Sequence, residues 1–290
     1  MIRVENLYHS YTNDDRYAVF DASFEVEKGE IFGFLGPSGA GKSTTQNILT
    51  GLLPLQKGHV IVDGYDIAKV DKKRFNNIGV SFEQSNLYSK LTAEENLMYY
   101  AKLFDVPTRD PKELIAMVGL DGNDKKKVGG YSKGMKHRLT FVRSLINNPK
   151  LWFLDEPTTG LDPAIAADIK KIIKTERDKG VTSFLTTHNM YIADELCDRV
   201  AFIIDGKIML IDSPKNLKLK YGEKTIAVEY IKNDKIEKEL LAPKIDIERA
   251  KLAKIVNEYE IITMHSKEAT LEEIFIKVTG KGLDSVEDME

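Results

Sequence analysis

The segment GPSGAGKS at residues 36–43 constrains the fold of this chain more than any other feature. It follows the apolar run IFGFL and precedes a stretch that favours a helix through Leu49. A glycine-rich loop between a strand and a helix turns backbone N–H groups inward, and the helix dipole adds to the attraction for phosphate groups. Lys42 neutralises charge there, and the Ser43 hydroxyl is a ligand suited to Mg²⁺. The segment therefore predicts a phosphate-binding loop in an α/β domain, the alternative being a glycine-rich turn without function.

An apolar run that ends in two carboxylates, LWFLDEP at residues 151–157, supplies a second chemical feature. If the run is a buried strand, Asp155 emerges at the carboxyl edge of the sheet, where open α/β sheets bind their ligands. Asp155 is then placed to hold Mg²⁺ through water, and Glu156 is placed to polarise an attacking water. Two adjacent carboxylates also occur where a strand simply ends at the surface, but the phosphate loop upstream favours the catalytic interpretation.

Short apolar runs alternate with helical patterns over residues 1–212, which predicts a mostly parallel sheet. Near the N-terminus the alternation is that of a half-buried strand, with apolar residues at Phe20, Ala22, Phe24 and Val26. Between about residues 86 and 146 the pattern changes to helices, the first of which begins with Thr92 and Glu95 at capping-box spacing. We therefore expect an α-helical subdomain inserted into the α/β domain.

The composition changes after Ser213 and Pro214, where lysine and glutamate become frequent. The segments KTIAVEYI and EIITMH read as strands, and ATLEEIFIKVTG reads as a helix that ends at Gly280. We interpret residues 213–280 as a small α+β module appended to the larger domain, and residues 281–290 as a loose tail.

The overall composition excludes several classes of protein. Lysine and arginine number 42 against 45 aspartates and glutamates, so the net charge of −3 does not indicate a nucleic-acid-binding protein. No apolar run approaches the roughly 18 residues that span a bilayer, and the start MIRVENLYHS lacks the apolar core of a secretory signal. A single cysteine, Cys197, excludes an internal disulfide and reads as a small buried residue, while no Cys/His cluster suggests zinc. We expect a cytoplasmic protein.

The segment YSKGMKHRL at residues 131–139 resembles the start of a helix that binds an anion. Ser132 is a suitable N-cap for an amphipathic helix, and Gly134 permits close approach to the backbone. Lys133 and its basic neighbours surround this N-terminus, which suits a phosphate group. Since the phosphate loop lies almost a hundred residues earlier, this segment predicts a second site for phosphate.

These motifs, in this order, resemble the nucleotide-binding subunits of ABC transporters, and the resemblance covers roughly residues 1–212. It implies a P-loop NTPase core of RecA-like topology with an antiparallel β subdomain, an inserted helical subdomain, and ATP and Mg²⁺ as ligands. The ATP-binding residues that it implies in the phosphate loop are Gly36, Pro37, Ser38, Gly39, Ala40, Gly41, Lys42, Ser43 and Thr44.

The remaining catalytic motifs are assigned by the same resemblance. Glu156 corresponds to the catalytic glutamate, and His188 in TTHNM corresponds to the histidine that contacts the γ-phosphate. Gln84 in SFEQSNL matches the glutamine that touches Mg²⁺ and the attacking water, so that the implied metal ligands are Ser43, Gln84 and Asp155.

Two further assignments from this resemblance concern adenine binding and dimer formation. Asp162 in TTGLD corresponds to the aspartate that reaches across the dimer. Tyr11 corresponds in position to the aromatic residue that stacks on adenine, with Tyr8 and Tyr17 as close competitors.

The segment YSKGM aligns with the family signature, most often written LSGGQ, which caps the γ-phosphate bound to the other subunit. Tyr131, Lys133 and Met135 depart from the commonest form, whereas Ser132 and Gly134 retain the hydroxyl and the close backbone approach. The resemblance implies that Ser132, Lys133, Gly134 and Met135 contact nucleotide. It also implies a head-to-tail dimer, with a second copy or a related ATPase subunit, that closes over two Mg-ATP molecules.

The form YSxGM and the ending LEEIFIKVTG are similar to subunits that power drug, antibiotic or lipid exporters. This looser resemblance implies a separate multipass membrane permease that docks beside Gln84 and residues 86–104, and a peripheral location at the inner face of the cell membrane. One alternative is an ABC ATPase that acts on nucleic acid, ribosomes or assembly machinery. Another is a regulatory protein whose C-terminal module binds a ligand or partner.

Overall fold

The computed structural model describes residues 1–12, 16–69, 72–223 and 225–280. The strands are β1 (Ile2–His9), β2 (Val19–Val26), β3 (Ile31–Leu35), β4 (Lys57–Val62), β5 (Tyr65–Asp66), β6 (Ile78–Ser81), β7 (Leu151–Asp155), β8 (Thr182–Thr187), β9 (Arg199–Ile204), β10 (Lys207–Asp212), β11 (Thr225–Lys232), β12 (Lys235–Leu241) and β13 (Glu260–Lys267). The helices are α1 (Lys42–Thr50), α2 (Ala93–Ala101), α3 (Pro111–Met117), α4 (Lys133–Arg143), α5 (Pro163–Asp178), α6 (Met190–Leu196), α7 (Pro214–Tyr221), α8 (Asp246–Glu258) and α9 (Leu271–Thr279). These elements form two compact units, of which the first contains Met1–Asp212 and the second begins at Ser213.

The central sheet of the first unit has six strands in the order β10-β9-β3-β8-β7-β6. Every neighbouring pair from β9 to β6 is parallel, and only β10 runs antiparallel, joined to β9 by an Asp205-Gly206 turn with positive φ at both residues. The mostly parallel sheet predicted from the alternation of strands and helices is therefore confirmed. Because parallel strands end at the same edge, the segments after β3, β7 and β8 emerge side by side.

A second, antiparallel sheet in the order β2-β1-β4-β5 packs against the central one. Phe24 of this sheet stacks on Phe32 with ring centroids 5.8 Å apart and on Phe184 at 6.0 Å. Phe32 and Phe184 are fully buried. Burial of each such side chain contributes about 2–3 kcal/mol to folding, so these rings hold the two sheets together.

The alternation of β2 differs from the sequence prediction at one position. Val19 is fully buried, whereas Phe20 is 37% exposed. The cause lies in Asp21, whose φ of +51° places it in the left-handed region. The register with β1 shifts between the pairs Leu7–Ala22 and His9–Val19, which marks a β-bulge. Val19 and Phe20, which precede the bulge, therefore point to the faces opposite to those expected.

The helical segment between the strands begins as its sequence predicted. The Thr92 hydroxyl accepts a hydrogen bond from the Glu95 N–H, and the Glu95 carboxylate accepts one from the Thr92 N–H, which confirms the capping box. At the start of α4, the Ser132 hydroxyl accepts from the Met135 N–H at 3.2 Å, so the predicted N-cap is also present.

The second unit is a three-stranded antiparallel sheet in the order β12-β11-β13 with α8 against β12. Its small core consists of Val228, Tyr230, Leu241 and Ile255. The predicted strands and final helix are present, and Gly280 ends α9 in the left-handed conformation. The predicted tail at residues 281–290 lies outside the described residues.

Two remaining features are the surroundings of Cys197 and the character of the helices. Cys197 is buried, and burial raises the pKa of its thiol, in agreement with its prediction as a small buried residue. Of the helices in the described ranges, none has both the length and the apolar character to cross a membrane.

Candidate active site

Three adjacent strands of the central sheet bring the principal predicted residues to one edge. β3 leads into the loop at residues 36–41, β7 ends at Asp155, and β8 leads to His188. β8 lies between the other two, with Leu35 opposite Thr187 and Asp155 opposite Thr186. The parallel topology therefore places the loop, the carboxylates and the histidine together, although they are far apart in the chain.

The loop has a conformation that requires glycine at two positions. At Gly36, a Cβ atom would lie 2.2 Å from the backbone oxygen of Ile203. At Gly41, φ is +102° and a Cβ atom would lie 2.3 Å from the backbone oxygen of Ala18. Gly41 is the N-cap of α1 and offers no side-chain cap to the first N–H groups of the helix. The loop thus presents an uncapped helix N-terminus, which favours an anion.

Lys42, the first residue of α1, is the main cation of the loop. Its ammonium donates to the backbone oxygens of Gly36 at 2.7 Å and Pro37 at 2.8 Å. Burial lowers the pKa of this ammonium, and the nearby carboxylates of Glu156, Asp155 and Glu83 offset the effect only in part. A buried cation of this kind interacts strongly with a further anion because little water screens it.

The other loop residues differ in exposure. Pro37 and Ala40 are buried and belong to the wall of the loop, whereas Ser38, Gly39 and Ser43 are exposed. Thr44 is buried, and its hydroxyl lies 3.1 Å from the Tyr11 hydroxyl.

Asp155 ends β7 in a partly buried position. The Thr186 hydroxyl donates to its Oδ1 at 2.5 Å. Burial raises the pKa of Asp155, while the Thr186 hydroxyl acts in the opposite direction. Carboxylate and hydroxyl oxygens are ligands that Mg²⁺ prefers, and Mg²⁺ usually keeps several waters. Asp155 and the exposed hydroxyl of Ser43 therefore fit a magnesium ion held in part by a phosphate ligand.

Glu156 follows with a left-handed backbone, φ +46°, which is uncommon for a residue with a side chain. Its N–H donates to the backbone oxygen of Thr186, so the chain turns while still bound to β8. The carboxylate is buried and accepts hydrogen bonds on both oxygens. Oε2 accepts from the hydroxyls of Thr187 at 2.8 Å and Thr159 at 3.0 Å.

The other oxygen of Glu156 faces His188. Oε1 accepts from the His188 N–H at 2.9 Å and lies 2.7 Å from the ring Nδ1. Because an ionised carboxylate has no proton to donate, Nδ1 must carry the proton in this contact, which leaves Nε2 of a neutral ring as an acceptor. The imidazole itself is 56% exposed.

The three candidate tyrosines near the N-terminus have different surroundings. Tyr8 and Tyr17 pack edge to face on each other and on Phe20, with centroids 5.2–5.7 Å apart. Tyr11 instead contacts the phosphate loop through Thr44, and 63% of its surface is exposed. This placement favours Tyr11 over its competitors as the aromatic residue next to the loop.

Gln84 lies in an exposed segment after β6. Its neighbour Glu83 is close enough to affect the pKa values of Lys42 and Asp155. The segment therefore approaches the loop edge, and Glu83 adds negative charge to it, which the sequence interpretation did not include.

The signature residues lie at the start of α4 in the same unit. Ser132 and Lys133 are exposed, and Gly134 and Met135 are half-buried. The nearest atom to a Cβ built on Gly134 belongs to Leu161, at 3.8 Å. Asp162 is exposed and caps its own helix α5, accepting from the Ile165 N–H at 3.1 Å. In the described part of the chain, no hydrogen bond joins residues 132–135 to residues 36–44.

The hydroxyls that hold the carboxylates were not identified from the sequence. Thr159, Thr186 and Thr187 belong to the TTG and TTH segments that were assigned for Asp162 and His188 only. Their position beside strand ends was a usable signal, but periodicity does not reveal which hydroxyl faces which carboxylate. Over the described ranges, no group of three or more His, Cys, Asp or Glu side chains is placed to hold a metal ion.

Comparison with known proteins gives consistent matches. The family model described as "ABC transporter" matches residues 19–159. A fluoroquinolones export ATP-binding protein of Mycobacterium tuberculosis is 47% identical over 285 residues, covering 98% of this chain and 94% of that protein. The linearmycin resistance ATP-binding protein of Bacillus subtilis is 33% identical over 312 residues, covering 98% of this chain and 99% of that protein.

Solved structures agree with the sequence matches. A dimeric ATP-binding cassette in a post-hydrolysis state, bound to ADP and Pi, superimposes with a TM-score of 0.67 at 27% identity. The superposition covers 73% of this chain and 98% of that one. The ATP-binding subunit of an ABC transporter gives a TM-score of 0.69 at 26% identity, over 76% of this chain and 93% of the other. The predicted fold class, a P-loop NTPase of the ABC ATPase type, is therefore confirmed.

Proposed function

The chain belongs to the ABC transporter family as an ATP-binding, ATP-hydrolysing subunit, and we propose that it closes head to tail over two Mg-ATP molecules to power export through a separate membrane permease. The observation that carries the proposal is the joint placement of Lys42, Asp155, Glu156 and His188 at one sheet edge, together with the exposed Ser132 and Lys133 at the start of α4.

The residues at the sheet edge have separate roles in this proposal. Lys42 and the N–H groups of residues 36–44 bind the phosphates, and Tyr11 stacks on the adenine. Ser43, Asp155 and Gln84 hold Mg²⁺, which supplies charge neutralisation at the phosphates. Glu156 polarises the attacking water and receives its proton, while the Thr159 and Thr187 hydroxyls orient its carboxylate. His188 contacts the γ-phosphate through the ring edge that carries Nε2, and because phosphate oxygens only accept, Nε2 carries a proton in this contact as well as Nδ1.

The dimer in this proposal follows from the position of the signature helix. The N-terminus of α4 is exposed and positively charged, and among the described residues it makes no hydrogen bond to the phosphate loop of its own chain. Ser132, Lys133, Gly134 and Met135 are therefore free to cap the nucleotide of a second subunit, and Asp162 lies next to the same surface. The dimeric state of the related cassette bound to ADP and Pi supports this arrangement.

Export and the membrane partner form the second part of the proposal. The fluoroquinolones export and linearmycin resistance proteins support an export role, since each matches nearly all of this chain. Exposed apolar side chains cluster in the segment proposed to dock the permease, and we call them the docking patch: Tyr88, Met98, Tyr99 and Leu103. Docking there would hold the chain at the inner face of the membrane. We also propose that residues 1–212 are the ATPase domain and residues 213–280 an accessory module.

The dimer is tested with Glu156→Gln, which removes the base but keeps the size of the side chain. We expect this variant to bind ATP, to lose hydrolysis, and to shift from monomer to dimer when Mg-ATP is added, as measured by light scattering behind a sizing column. Wild type and ADP are the controls. Hydrolysis at the wild-type rate would remove Glu156 from its role, and an ATP-bound monomer would refute the homodimer.

The docking patch is tested with Tyr99→Asp and Leu103→Asp. We expect each variant to leave the membrane fraction of its native cells while keeping its basal ATPase rate. Leu52→Asp, which alters a side chain that is 59% exposed outside the patch, is the matched control. Equal recovery of all variants with the membrane would contradict docking at this patch.

A further inference from the structure

The side chain of Gln56 binds the backbone of a residue 46 positions earlier. Its Oε1 accepts from the Ser10 N–H at 2.8 Å, and its Nε2 donates to the Ser10 carbonyl oxygen at 2.9 Å. One amide thus satisfies both backbone groups of Ser10, as the backbone of a neighbouring strand would do.

This contact continues the sheet beyond its last regular pair. The ladder between β1 and β4 ends at Tyr8 opposite Lys57. Past that pair the Gln56 amide contacts both backbone groups of Ser10. The Ser10 hydroxyl donates to the Arg16 backbone oxygen at 2.7 Å. Ser10 is 6% exposed, so its backbone groups and its hydroxyl are bound in a buried position.

Tyr11 is the next residue, and within the described ranges its ring has two contacts at its edges. The ring packs edge to face on His9 with centroids 4.9 Å apart, and its hydroxyl lies 3.1 Å from the Thr44 hydroxyl. Because 63% of the residue is exposed, a face of the ring remains available to a flat ligand. The direction in which Tyr11 leaves the sheet depends on the backbone of Ser10.

We propose that Gln56 is a positioning residue, which fixes the Tyr11 ring for a purine base by clamping Ser10. This inference rests on the proposed role of Tyr11 as the adenine platform. Gln56 then contributes to the binding of the base and ribose end of ATP, and nothing to the binding of the phosphate end, which Lys42 and the loop hold.

The test compares ATP with inorganic triphosphate, which has the phosphates but no base. Equilibrium constants for both are measured by displacement of a fluorescent nucleotide from the full chain. The variants are Gln56→Met, which has a similar size but no amide, and Gln56→Glu, which keeps the acceptor for the Ser10 N–H but turns a carboxylate oxygen toward the Ser10 carbonyl. Leu52→Ala, on the same exposed segment, is the matched control, and Tyr11→Ala reports the full contribution of the ring.

We expect Tyr11→Ala to weaken ATP binding about 30-fold, which is in the range of a lost base–aromatic stack. Both Gln56 variants should weaken ATP binding about 5- to 10-fold. Triphosphate binding should stay within about 2-fold of wild type in every variant, which also reports an intact loop.

Three results would each contradict either the positioning role of Gln56 or the role of Tyr11 as the adenine platform. Unchanged ATP binding in both Gln56 variants, with a loss in Tyr11→Ala, would overturn the role of Gln56 but not that of Tyr11. Equal losses of ATP and triphosphate would show that Gln56 only supports the fold. An unchanged ratio of ATP to triphosphate affinity in Tyr11→Ala would refute the adenine platform itself.

Discussion

The ring Nδ1 of His188 lies 2.7 Å from Oε1 of Glu156, and the backbone N–H of His188 donates to the same oxygen. The proposed base and the proposed γ-phosphate sensor are therefore one hydrogen-bonded pair. Two threonine hydroxyls hold the second oxygen, so the direction of the carboxylate is determined by four donors from two segments of the chain.

Thr187→Val should lower kcat for ATP hydrolysis and leave KM unchanged. Valine keeps the shape of the side chain but removes the donor to Oε2 of Glu156. A hydrogen bond to a charged group is worth about 1.5 kcal/mol, which corresponds to a roughly 10-fold loss of rate. Steady-state kinetics would measure the change, and Thr187→Ser should restore most of the rate.

The matched control for that variant is Thr175→Val. The Thr175 hydroxyl is exposed on α5 and donates to the Lys171 backbone oxygen rather than to Glu156. Its removal should leave the rate unchanged. A higher kcat in Thr187→Val would show that the hydroxyl restrains the base rather than orienting it.

Lys42→Ala should weaken ATP binding about 30-fold or more, because the buried ammonium is the main cation of the loop. The loss should also appear with inorganic triphosphate, since the contact concerns phosphates. Fluorescent-nucleotide titration measures both constants, and Lys28→Ala, at an exposed lysine of the same unit, serves as control. An unchanged affinity for both ligands would exclude Lys42 from the site.

Mixed dimers test whether the site is shared between two chains. Ser132→Arg places a bulky cation at the exposed N-cap of α4, and Lys42→Ala disables the phosphate loop. Each variant alone should be inactive, whereas a mixed dimer contains one intact composite site and should regain hydrolysis.

The control mixture for that experiment is wild type with Lys42→Ala, which shows whether one intact site is enough. If this mixture is active and the two variants still fail to complement, a shared site is contradicted. Native mass spectrometry would confirm that mixed dimers are present in both samples.

A buried ion pair in the first unit should make stability depend on pH. Arg109 contacts both carboxylate oxygens of Glu176, which is fully buried, and Lys179 donates to one of them at 2.9 Å. Burial alone would raise the pKa of Glu176, but these cations hold the pKa below its ordinary value. The ion pair therefore adds to the free energy of unfolding at pH values above the ordinary glutamate pKa. This contribution is lost as the pH falls through the lowered pKa.

Arg109→Met should destabilise the protein by about 3 kcal/mol at pH 7, because it leaves a buried carboxylate with less compensation. The difference from wild type should shrink near pH 4, as Glu176 becomes protonated in the variant. Urea unfolding at the two pH values measures this. Arg3→Met, which breaks the exposed contact with Glu5, should have little effect at either pH. Equal losses at both pH values would contradict the linkage to Glu176.

Local sequence predicted a large part of the secondary structure. The capping box at Thr92 and Glu95 and the Ser132 N-cap depend on residues within four positions of each other, and both are confirmed. Helix α8 was not predicted, because Ile245 provides no side-chain cap and few of its residues are buried. The ATP-site residues assigned from motifs remain predictions until they are tested.

By itself, the sequence determined the order of most strands and helices, the glycine-rich loop and the chemical types of the site residues, because these depend on local spacing. Only the tertiary structure decided that Thr187 and Thr159 hold Glu156, that Gln56 clamps Ser10, and that a bulge at Asp21 exposes Phe20. Such contacts join residues from separate strands and loops. Their partners are set by the register and order of the strands in the sheets, which periodicity along a single segment does not specify.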